Sequence, residues 1–174
     1  MTKNHNLIAL QTRLKMDSSD PDECGLAGET LAAVALQCSG VIWLKIDQNP
    51  FMYSKKLLHS GGKRPDFLVI FDDKENMFID VKTYTPIEKT ESSITFRIKE
   101  DEHKKFENTQ KITGIDVTIL FLNKKSVYFE GGFAQIKDFG DSYAESGVEW
   151  RNISIVKSDM FVIKKEDFNV FVWE

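Results

Sequence analysis

The chain has 174 residues, 41% of them hydrophobic and 29% charged, with a formal net charge of −4 and two cysteines. That length suits one domain that buries about two thirds of its unfolded surface without disulfide or metal staples. No apolar run nears the roughly 20 residues of a membrane span, and the negative charge argues against a protein that coats nucleic acid through bulk positive charge. The expectation is a single domain over residues 1–174, with a core at about 20–130 and a β-rich C-terminal extension at about 148–174. Residues 6–10 are too short an apolar stretch for the core of a signal peptide, so a cytoplasmic protein away from membranes is expected.

In chain order, Leu7, Leu10 and Leu14 would line one face of a short helix. Ser18, Ser19, Asp20 and Pro21 form a helix start signal, with Asp22 and Glu23 at the positive end of the dipole. The alanine-rich run that follows predicts a mostly buried helix to Cys38, stopped by Ser39 and Gly40. Glu29 is the only charge between Leu26 and Cys38. Cys24 and Cys38 fall on that helix about 21 Å apart at the helical rise, beyond disulfide reach, as expected of reduced cytosolic thiols. Residues 41–47 read as a first strand and 48–62 as a loop broken by Gly61 and Gly62. Residues 64–85 read as strand, polar turn near 72–76, strand. A short strand at 93–98 and a charged helix over about 100–113, ended by Gly114, come next. Strands at 116–122 and 126–130 flank a turn at 123–125, and residues 131–147, rich in Gly, Asp and Ser, read as a loop. Residues 148–156, 160–163 and 170–173 alternate as strands. Helix, three strands, helix, then strands predicts an α/β fold with a central mixed β-sheet flanked by helices.

The hairpin at 64–85 carries the chemistry. Asp66 begins the apolar strand Phe67 to Phe71, and Asp80, Val81 and Lys82 lie inside the second apolar strand. Alternate residues of a strand share a face, so Asp80 and Lys82 point one way while Ile79 and Val81 point the other. The turn brings the acidic ends together, and ionised groups so placed are costly unless paired or bound to metal. Two close carboxylates repel, and a hard divalent ion offsets this with oxygen ligands, which makes Mg2+ the expected cofactor with Mn2+ as its substitute. Metal-activated water would attack phosphorus, with Lys82 orienting or helping to deprotonate it, or neutralising charge on the phosphate. The alternative is a structural Asp80/Lys82 ion pair. Pro21-Asp22, Asp72 to Lys74 and Glu102 to Lys104 repeat parts of the string, but the latter two fall in a turn and on a charged helix. Lys55, Lys56, Lys63, Arg64, Arg97, Lys99, Lys104, Lys105, Lys111, Lys124 and Lys125 read as solvated surface, as do His5 and His59.

Pro65-Asp66, Asp80-Val81-Lys82 and the upstream helical Glu29 together resemble the PD-(D/E)XK nuclease superfamily, which includes restriction endonucleases and archaeal-type Holliday junction resolvases. The resemblance covers about residues 20–130 and implies a core of helix, three antiparallel strands, helix and a further strand. It implies that Asp66, Asp80 and Glu29 hold the metal, that Lys82 acts on the attacking water, and that cleavage leaves a 5′-phosphate and a 3′-hydroxyl. Glu29 could equally be a partly exposed helix position. The family's second helix often sends a polar residue to the site, here Lys99, His103 or Gln110, with packing or solvation the expected role of His103. Acidic residues 20–23 stand where junction resolvases carry a basic, glycine-containing stretch, which argues against four-way junctions as the specific substrate. The reading is an endonuclease acting on DNA, with a homodimer or a partner subunit of a larger assembly as further expectations. The alternatives are a non-catalytic nucleic-acid or protein-binding module on the same fold and an RNA-cleaving toxin nuclease.

Overall fold

A computed structural model describes residue 9 and residues 11–48, 54–71, 76–126 and 129–163. The expected turn at 72–75, the strand at 170–173, His5, Leu7 and Leu10 lie outside the described residues. Residues 11–16 are helical, but Leu14 is 63% exposed while Ala9, Thr12 and Met16 are buried. Leu14, the one leucine of that stripe among the described residues, is thus not on the face that packs.

Helix α1 spans Pro21–Cys38, capped by the Asp20 carboxylate accepting from the Asp22 N–H at 2.9 Å. Ala27, Leu31, Ala32, Val34 and Leu36 bury one face of it against a six-stranded sheet. Cys24 is buried and Cys38 exposed, and neither forms a disulfide. Strand β1 is Ile42–Lys45, β2 Phe67–Ile70 and β3 Met77–Tyr84. These pair antiparallel in order, and β3 then pairs in parallel with β6, Asp116–Asn123. Strand β7, Phe129–Gln135, and strand β10, Met160–Ile163, complete the order β1-β2-β3-β6-β7-β10. The result is a mixed α/β fold.

A second sheet, ordered β4-β5-β9-β8, contains β4 (Glu88–Lys89), β5 (Ser93–Lys99), β8 (Tyr143–Glu145) and β9 (Val148–Val156). Its β5 leads directly into the helix Glu100–Thr113, labelled α3, which Gly114 closes at φ +69°. Phe96 of β5 stacks on Phe121 of β6 at 4.7 Å, and Phe106 of α3 joins the same cluster. The six-stranded sheet therefore has α1 on one face and α3 with the second sheet on the other. Strand β6 shows the consequence: Val117 through Asn123 are all buried, with Leu120 and Leu122 toward α1 and Ile119 and Phe121 toward α3.

Three expectations change. The loop expected at 48–62 contains a five-residue helix, α2, Lys55–His59, capped by Ser54 and too short to carry a period. Residues 131–147 are not a loop, because β7 continues to Gln135, a 3-10 turn covers Ile136–Asp138, and β8 follows. Gly131 and Gly132 sit in a strand for reasons of space. A Cβ on Gly131 would stand 2.7 Å from Leu122 and 2.8 Å from the Phe121 carbonyl, and one on Gly132 2.9 Å from Ile155. The strand at 93–98 belongs to the second sheet, and the segment from Val148 onward contributes to both sheets.

Candidate active site

Register brings the hairpin's acids together. Phe67 pairs with Ile79, so Asp66 falls opposite Asp80, and the Asp66 N–H donates to the Ile79 carbonyl at 2.9 Å. Ile79 and Val81 pack toward α1, leaving Asp80 and Lys82 on the face covered by α3. Asp66 Oδ2 accepts the Val81 N–H at 2.7 Å, and Oδ1 lies 3.4 Å from the Gln48 side-chain amide. Burial first, then the charge on Asp80 and a smaller push from Glu29, raise the Asp66 pKa to about 7 against the Val81 hydrogen bond and Lys82.

Asp80 is 1% exposed, yet it is surrounded by charge. Its Oδ2 lies 2.5 Å from Lys82 Nζ and its Oδ1 3.3 Å from Lys63 Nζ. Both ammonium groups also meet Glu102 Oε1 from the first turn of α3, at 2.9 Å for Lys82 and 2.6 Å for Lys63. The four groups form a ring of alternating charge, and the Phe106 ring lies 4.8 Å from Lys63 Nζ and 5.7 Å from Lys82 Nζ. Burial opposes the charge on Lys82, but Asp80 and then Glu102 hold its pKa well above the ordinary lysine value. Burial likewise works against an ionised Glu102, while Lys82 and Lys63 outweigh it and keep the carboxyl below the usual carboxylate range. Burial, followed by the Glu102 charge, raises the Tyr84 phenol on the same strand face.

Glu29 approaches from the α1 side. Its carboxylate is 2.7 Å from Lys45 Nζ of β1, and its charge is felt at Asp66. Gly28, beside it, lets α1 lie close to β3, since a Cβ there would stand 2.0 Å from Thr83 Oγ1 and 3.4 Å from Val81 Cγ1. The charges of both Asp80 and Glu29 thus act on Asp66.

Lys63 and Glu102 are the members that sequence reasoning missed. Lys63 reads as a surface cation in the sequence, although it stands three residues before Asp66, where a chain entering β2 must pass the open end of the hairpin. Its backbone is clamped to α3: the Thr109 hydroxyl donates to the Lys63 carbonyl at 2.7 Å and accepts its N–H at 2.9 Å. Glu102 reads as part of a charged helix, but it precedes the buried Phe106 and Thr109 at intervals of four and seven, the spacing of one helix face. The second-helix candidates behave otherwise. His103 is buried, with Nε2 2.9 Å from the Ile136 carbonyl and its ring edge-on to Phe139, and Gln110 accepts the Val117 N–H at 2.9 Å. Lys99 lines a cavity of about 480 Å³ beside the ring, with Gly62, Lys63, Tyr84, Glu102 and Lys105 among its walls. His59 is exposed, as expected.

Among the described residues, no three acidic, histidine or cysteine side chains gather as a metal-ligand group. Asp66 and Asp80 still supply the hard oxygens that magnesium takes. A carboxyl driven to a pKa of about 7 by burial and neighbouring negative charge marks a place short of a cation. The residues therefore fit a divalent ion held by two opposed carboxylates and otherwise by water and substrate oxygens.

No family model matches the chain, and no curated protein matches it. Among solved structures it is similar to Hjc, a Holliday junction resolvase from the archaeal hyperthermophile Archaeoglobus fulgidus. The identity is 13%, the TM-score 0.47, and the match covers 77% of this chain and 84% of that one. A likeness of that size assigns no activity. Among the described residues no helix is long and apolar enough to cross a membrane.

Proposed function

We propose that the chain is a metal-dependent endonuclease that hydrolyses phosphodiester bonds in DNA. The observation that carries this reading is the opposition of Asp66 and Asp80 across adjacent strands, with Lys82 on the same face as Asp80 and 2.5 Å from it. The resemblance of the same residues to the PD-(D/E)XK pattern supports the choice of phosphodiester chemistry. Asp66 and Asp80 would hold Mg2+ or Mn2+, and Glu29 would add negative charge from α1. When bound, the ion lowers the pKa of a water and offsets charge on phosphate oxygens.

The chain's own residues divide the remaining work. Lys82 is held as an ammonium by Asp80 and Glu102, so it has no lone pair with which to take a proton. It donates hydrogen bonds, orienting the attacking water and neutralising charge that develops on the phosphate. That favours orientation over proton abstraction among the roles its position allows. Asp66, whose pKa lies near 7 without a cation, releases its proton as positive charge enters the site. The PD-(D/E)XK resemblance implies that the 3′-oxygen is the leaving group, which gives a 5′-phosphate and a 3′-hydroxyl.

The test incubates the protein with linear, branched and single-stranded DNA and with RNA, with Mg2+, with Mn2+ and with EDTA. Asp80→Ala and Lys82→Ala should each lower metal-dependent cutting on the order of 10³-fold. Cutting that survives both substitutions would leave Asp80 and Lys82 as a structural ion cluster. Cutting of RNA but not DNA would replace the substrate. Activity that appears only when partner proteins are added would make the chain one subunit of an assembly.

A further inference from the structure

We propose that Lys63 is a built-in counter-ion of the metal site, seated on Asp80 in the metal-free protein and displaced from it when a divalent cation enters, so that it sets the metal affinity. The inference rests on the reading of Asp66 and Asp80 as metal-holding residues, and it concerns a lysine outside the PD-(D/E)XK pattern.

The charge count requires an exchange. Asp80 and Glu102 are balanced by Lys63 and Lys82, a ring of net charge zero to which Asp66 adds one negative charge when ionised. A divalent ion on Asp66 and Asp80 would leave excess positive charge within a few ångströms of two ammonium groups, so one of them withdraws. Lys82 is poorly placed to do so. It lies on β3, where it pairs with Phe121 of β6, its side chain is 11% exposed, and its contact with Asp80 is the shortest in the ring.

Lys63 is free to move where Lys82 is not. Its side chain is 31% exposed, and its contacts with the two Asp80 oxygens are the longest in the ring, at 3.3 and 3.5 Å. Its contact with Glu102 is 2.6 Å, so the ammonium already leans toward α3. Beyond it lies the 480 Å³ cavity, walled also by Gly62, Tyr84 and Lys99. The Thr109 clamp fixes the Lys63 backbone, so withdrawal is a side-chain rotation that keeps Glu102 as partner.

The experiment titrates Mn2+ into the whole protein by calorimetry, for wild type, Lys63→Met and Lys63→Arg, and follows thermal melting in EDTA and in saturating Mn2+. Lys63→Met should bind Mn2+ on the order of tenfold more tightly than wild type. It should also melt several degrees lower in EDTA, a gap that closes with metal. Lys63→Arg, which keeps the charge, should bind like wild type. If Lys63→Met fails to fold by circular dichroism, Lys63→Gln, whose amide can still donate to Glu102, takes its place with the same expectation. Unchanged or weaker Mn2+ binding in the folded neutral variant overturns the counter-ion role, and wild-type cutting in the same preparation leaves the nuclease reading intact. Tighter Mn2+ binding by the variant, where the wild type cuts no nucleic acid either alone or with added partner proteins, supports the counter-ion and overturns the nuclease reading. A wild type that takes up no Mn2+ overturns both.

Discussion

Asp66 and Asp80 face each other across two hydrogen-bonded strands, yet they sit in opposite electrostatic situations. Asp80 is almost fully buried but has two ammonium groups against it, with Glu102 bracing both. Asp66 takes its hydrogen bonds from neutral donors, the Val81 N–H and the Gln48 amide, and carries a pKa of about 7. Burial alone does not set the cost of a carboxylate; the nearest compensating charge does. One half of the pair is compensated by neighbouring ammonium groups, and the other takes only neutral donors among the described residues.

The largest expected break of this contrast is Asp80→Ala. It would leave Lys63 and Lys82 sharing Glu102 alone, and loss of one partner from a buried ion cluster costs about 3–5 kcal/mol. Chemical denaturation in EDTA measures it, and a cost no greater than that of an exposed pair would show that the ring is not a closed unit.

Asp66→Asn should act in the opposite direction. The folded-state pKa of about 7 lies above the ordinary value of 3.8, so the folded chain binds more protons between those limits and stability falls as pH rises through that window. Below about pH 4 both states are protonated and the penalty is absent. The substitution should therefore stabilise the metal-free protein by up to about 4 kcal/mol at pH 8 and leave it nearly unchanged near pH 4. Urea denaturation at the two pH values checks this, and a gain of equal size at both would remove ionisation as its source.

Gly28→Ala tests the approach of α1 to β3. Overpacking against Thr83 costs about 1–3 kcal/mol, and alanine's helix preference returns roughly 1 kcal/mol of it. A net loss near 1 kcal/mol should appear in thermal unfolding, whereas a stabilised variant would mean that Thr83 turns aside freely. Glu29→Gln should have the smallest effect on stability, because its partner Lys45 is half exposed and such pairs contribute about 0–1 kcal/mol. It should also lower the Asp66 pKa slightly, since Glu29 helps to raise it. Side-chain carboxyl NMR titration reads that shift, and an upward movement would contradict the placement of Glu29.

Much of the fold was written locally. Asp20 and Pro21 start α1, Ser39 and Gly40 end it, and Gly114 closes α3, each through backbone preferences that a few neighbouring residues impose. The period of two in β3 separates Asp80 and Lys82 from Ile79 and Val81, so the charged face was legible before any coordinate. The glycines at 131 and 132 misled because they serve close packing against Leu122 and Ile155, a demand made by residues distant in sequence.

The sequence by itself determined which residues are acidic, which strand face they share and that Asp66 and Asp80 end up opposed, because those follow from strand periodicity and a short hairpin. Only the tertiary structure decided that Lys63 and Glu102 complete the ring, that Gln110 accepts the Val117 N–H and His103 meets the Ile136 carbonyl, and that among the described residues Asp66 has no ion pair such as Asp80 has. Those facts depend on where α3 lies over β3, and on burial, which gives neighbouring charges their weight.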